Sequence, residues 1–144
     1  MIKKITLSII LFVLFTSQLH ALIEVDITRG NLDPLPVAVS PLSADKNTND
    51  KLSKELKINK IGHKISEVVE NNLKNSGLFN PLNKDAFLQA PDIANLKPRF
   101  EDWNLIKAQA LITGKVSFNE EKLRVEFRLW DVLAGKEMIA LAFT

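Results

Sequence analysis

The chain has 144 residues, 46% of them hydrophobic and 25% charged, with 8 Phe and 2 Trp but neither Tyr nor Cys, a composition that fits one globular domain and excludes fibrous or disordered classes. Without cysteine there is no disulfide, thiolate metal site, Cys nucleophile or lipidated Cys anchor. The formal charge of +2 comes from Lys3 and Lys4 of the leader; taking these two from the 19 bases leaves 17 against 17 acids, and without a local basic run the remainder lacks the electrostatic footprint of a nucleic-acid binder.

Lys3-Lys4 precedes an apolar stretch, Ile5 to Phe15, interrupted only by Thr6 and Ser8, and then the polar run Thr16 to Ala21. This is the layout of a signal peptide over residues 1–21, with Ala21 as the small residue at the cleavage site. The apolar stretch is about half of the roughly 20 residues that a spanning helix requires. The expected mature protein therefore starts at Leu22, leaves the cytoplasm and keeps no stable membrane insertion.

Leu22-Ile23-Glu24-Val25-Asp26-Ile27-Thr28 sets Ile23, Val25 and Ile27 on one face of an extended segment and Glu24, Asp26 and Thr28 on the other, a period-two strand pattern. Arg29-Gly30-Asn31 and Asp33-Pro34 form a flexible joint. Pro36 to Ser40, stopped by Pro41, reads as a buried strand. Ser43 to Asp50 is polar and reads as a surface loop. From Ile58 the period changes: Ile58, Ile61, Ile65, Val68, Val69 and Leu73 fall at helical spacing, predicting a helix from about Lys60 to Asn75 that lays this stripe on the core, with Gly77 as its left-handed cap.

Leu78 to Leu82 starts a short extended piece, and Asn83 to Arg99 reads as a partly packed connection. Asp102 is placed to cap a short helix, Trp103 to Ala108, that points Trp103, Ile106 and Ala110 inward. Ala110 to Val116, a turn at Asn119 to Lys122, Leu123 to Leu129, a turn at Ala134-Gly135-Lys136 and Glu137 to Phe143 form a three-stranded meander. Trp130 falls on the charged face of its strand, where an exposed aromatic is expected. The fold class is α/β of the α+β type: a mixed, partly antiparallel sheet covered by one long and one short helix.

The chemistry that this order carries is thin. The five glycines stand singly, at 30, 62, 77, 114 and 135, so no phosphate loop or nucleotide fingerprint is formed. His63, the sole imidazole after the leader, has no second His at ligand spacing and reads as a solvated helix residue. Glu101-Asp102 and Glu120-Glu121 fit a helix start and a turn. Trp130-Asp131 does not repeat, as a propeller blade would. No enzyme, cofactor or metal is expected.

Longer motifs are specific. Gly62-His63-Lys64-Ile65-Ser66, Leu73-Lys74-Asn75-Ser76-Gly77-Leu78-Phe79-Asn80-Pro81-Leu82, Phe100-Glu101-Asp102-Trp103-Asn104-Leu105-Ile106-Lys107-Ala108-Gln109-Ala110-Leu111-Ile112-Thr113-Gly114 and Leu123-Arg124-Val125-Glu126-Phe127-Arg128-Leu129-Trp130-Asp131-Val132 resemble, in order and spacing, the amino-terminal domain of the TolB family. The resemblance implies a periplasmic adapter of the Tol-Pal envelope system, linking the inner-membrane protein TolA to the outer-membrane lipoprotein Pal and supporting outer-membrane integrity and constriction at division. It implies three parts: the signal peptide 1–21, a flexible partner-binding segment 22–34 and the domain 35–144. The family's Pal site lies on a carboxy-terminal propeller, and no residues up to Thr144 match it, so Pal binding is not carried over.

The TolA-binding segment implied by the resemblance is Leu22, Ile23, Glu24, Val25, Asp26, Ile27, Thr28, Arg29 and Gly30. From the residues alone, such an apolar and acidic segment can lie against its own body or add as a strand to a partner's sheet edge. A small periplasmic ligand-binding or structural module sharing the fold is the alternative function.

Overall fold

The structure is a computed structural model that describes residues 33–56, 60–91, 97–119 and 121–144. The predicted leader and the segment Leu22 to Gly30 lie outside the described residues. The elements are β1 (Leu35–Val39), β2 (Ser43–Ala44), α1 (Lys46–Leu56), α2 (Ile61–Asn75), β3 (Phe79–Pro81), a 3-10 turn (Lys84–Ala86), α3 (Phe100–Leu105), β4 (Ala110–Asn119), β5 (Lys122–Asp131) and β6 (Lys136–Phe143). The sheet runs β3-β1-β4-β5-β6, with β2 also paired to β4. Pairing is parallel among β1, β2, β3 and β4 and antiparallel through β4, β5 and β6. The expected mixed sheet and meander are present.

Continuous apolar character in Val37-Ala38-Val39 has a direct cause: these residues are all buried, because helices or loops cover both faces of a central strand. On one face Leu42, Leu52, Ile61 and Val116 form a core cluster flanked by Ile65, Phe118, Val125 and Phe127. On the other, Ala38, Trp103, Ala108, Leu111 and Val132 pack with Leu82, Phe87, Ile106 and Trp130. Trp103 is held twice. Its indole N–H donates to Gln89 Oε1 at 2.7 Å, and the Phe87 ring meets it edge-on at 5.0 Å.

Helix α2 occupies nearly the predicted span, and Gly77 takes φ +70° as its left-handed cap requires. Its stripe is narrower than the sequence suggests. Ile61 is buried and Ile65, Val69 and Leu73 are half-buried, but Val68 is 59% exposed; the helix leans on the 65/69/73 line, which turns Val68 to solvent. Its first turn touches the chain where β1 gives way to β2. Leu42 N donates to Gly62 O at 3.2 Å, and a Cβ on Gly62 would lie 1.8 Å from Leu42 O.

The structure corrects three expectations. Ser43 to Asp50 is not a loop: Ser43–Ala44 pairs with β4 and the remainder opens α1. Asp45 Oδ1 accepts the Thr48 N–H at 2.7 Å, an N-cap that satisfies a free donor of the first turn, and buried Thr48 presents Oγ1 to Phe118 N at 3.2 Å. A polar composition therefore hides a helix anchored by hydroxyl and carboxylate hydrogen bonds and by the buried Leu52. The short helix begins at Phe100, not Trp103, so Asp102 lies inside its first turn and pairs with Arg99 instead of capping. Trp130 is not an exposed aromatic. It is half-buried, donates to Thr113 Oγ1 at 2.9 Å and tilts on Phe100 at 5.8 Å.

Two stability outcomes follow from these contacts. Gly62→Ala should cost at least about 2–3 kcal/mol, as overpacking against rigid backbone does, whereas Gly77→Ala, with nothing within 4 Å, should cost only the roughly 1–2 kcal/mol of a left-handed L-residue; urea titrations of both variants measure the difference.

The Asp45 carboxyl is held below the usual carboxylate range chiefly by the Thr48 backbone hydrogen bond. A depressed folded pKa stabilises above the unfolded value and loses that stabilisation as pH falls through the folded one. Asp45→Ala should therefore cost about 1 kcal/mol at neutral pH, and its deficit against the wild type should shrink below about pH 4, read by denaturation at pH 7 and pH 3.

Candidate interaction surface

The predicted partner-binding residues, Leu22 through Gly30, lie outside the described residues, so the structure brings none of them to a site. Among the described residues no three His, Cys, Asp or Glu side chains are grouped as a metal centre. His63 stands exposed on α2. Glu121 turns the β4–β5 hairpin at φ +62°, and Asp102 is engaged by Arg99. No described helix is long and apolar enough to cross a membrane.

What the fold presents is a surface. Helix α2 covers β1 and β4 but stops short of the meander's outer strands. The result is an apolar groove of about 260 Å³ between Val69 of α2 and Ile112, Phe127, Leu129, Ile139 and Leu141 of the sheet. A second recess of about 360 Å³ continues it past Leu73 to Leu35, Phe79, Leu133 and Met138. Along β6, Met138, Ile139, Leu141 and Phe143 are each at least half exposed. Phe143 meets Phe127 edge-on at 6.3 Å. An apolar strip of this extent marks a contact surface in a folded protein; Arg128 also lines the first recess, and Gln109 and Asp131 the second.

The reverse face of the same strands is charged. Arg124 pairs with Glu126 and Arg128 with Glu137. The Glu126 carboxyl is held below the usual range, first by its hydrogen bond from Arg124 and then by the charges of Arg124, Arg128 and Lys115. The alternation in Leu123 to Leu129 shows this two-sided character in the sequence. The exposure of β6 is not visible there, because Met138 to Phe143 reads like any strand that something covers.

A family model described as the TolB amino-terminal domain matches residues 23–138. Over 135 residues the chain is 73% identical to the "Tol-Pal system protein TolB" of Pelagibacter ubique (strain HTCC1062), which covers 94% of this chain and 30% of that protein. The chain belongs to the TolB amino-terminal domain family. It spans 30% of the length of that relative. Among solved structures, TolB from Acinetobacter baumannii matches with a TM-score of 0.56 at 17% identity, covering 78% of this chain and 23% of that one. The LpoB C-terminal domain from Escherichia coli matches with a TM-score of 0.53 at 16% identity, covering 78% of this chain and 83% of that one. At such identities the likeness is one of fold, and it bears out the mixed sheet of the TolB amino-terminal class.

Replacing Leu141 with Glu should remove much of the fluorescence enhancement of an anilinonaphthalene sulfonate dye bound to the native protein. Because Leu141 is 53% exposed, the same substitution should change stability by no more than about 0.5 kcal/mol, and paired dye titration and thermal melts separate the two effects.

Proposed function

We propose that the chain serves as a periplasmic adapter of the Tol-Pal envelope system, exported by its leader and contacting TolA through Leu22 to Gly30, in support of outer-membrane integrity and cell division. The observation that carries this reading is the 73% identity with a protein named for that system across 94% of the chain. The leader pattern of residues 1–21 supports export to the periplasm. Pal belongs to the reading as a partner of the assembled system.

The chemistry of the segment supports a strand-addition mode. Ile23, Val25 and Ile27 share one side and Glu24 and Asp26 the other, so main-chain hydrogen bonds supply affinity while alternate side chains select the partner. The apolar side carries most of the binding energy, whereas rim charges act on the association rate.

The carboxy-terminal domain of TolA, titrated calorimetrically at two salt concentrations, should bind the protein. Deleting Leu22 to Thr28 should abolish binding with the fold intact. Val25→Asp should weaken it by roughly 2–4 kcal/mol, the cost of an unpaired polar group within apolar contact, and Glu24 or Asp26 substitutions should act more weakly and mainly at low salt. Undiminished binding after the deletion would end this reading.

A further inference from the structure

We draw no further inference here: the strongest candidate, the recess of about 360 Å³ that Ser43, Asn49, Lys60 and His63 line at the first turn of α2, carries nothing, because it is a helix N-terminus with no independent sign of a ligand, the unpartnered Asn49 Oδ1 being closed off from solvent.

Discussion

Strand β4 is the element on which the other parts of the sheet depend. Along one edge it hydrogen-bonds β1 and then β2, and along the other all ten of its residues pair with β5. Leu111 and Val116 are both fully buried but belong to different clusters on opposite faces, as an odd separation along a strand demands. One strand thus anchors two cores. Between them, a Cβ on Gly114 would lie 2.2 Å from Glu126 O and 3.0 Å from Leu42 Cγ, so the strand must be bare there for Leu42 to close over it.

That closure fixes the place of the helices. Ser40 N still donates to Ile112 O, but the chain then leaves β4 and returns at Ser43. The excursion carries Leu42 to Gly62 at the first turn of α2. Two glycines far apart in sequence therefore admit the same leucine. The 3-10 turn is tied back to α2 by the Lys84–Glu70 ion pair, and on the reverse face Gln89 accepts from both Arg99 N and the Trp103 indole. These contacts hold the long connection between β3 and β4 against the sheet.

Coverage is uneven as a result. Helices and the connection bury β1 and β4 from both sides, while β5 and β6 carry an apolar strip on one face and paired charges on the other. Such unlike faces on one pair of strands are suited to protein contact. Architecture alone does not select a partner.

Much of the architecture is legible in the residues. Helical spacing from Ile61 to Leu73, the left-handed Gly77 and the strict alternation of Leu123 to Leu129 are local properties, and each determined its element's type and approximate limits. Helix α1 was not legible, because what secures it is remote: Thr48 meets Phe118 N across 70 residues, and one buried Leu52 makes too faint a periodicity. Trp130 likewise reads as exposed until Phe100 and Thr113 arrive from elsewhere in the chain. The sequence by itself determined the order of β1, α2, β3, α3 and the meander, though not β2 or α1, and the two-faced character of β5. Only the tertiary structure decided which faces stay bare, because exposure depends on where α2 stops relative to β6, and that follows from its close contact with Leu42, not from any periodicity within either element.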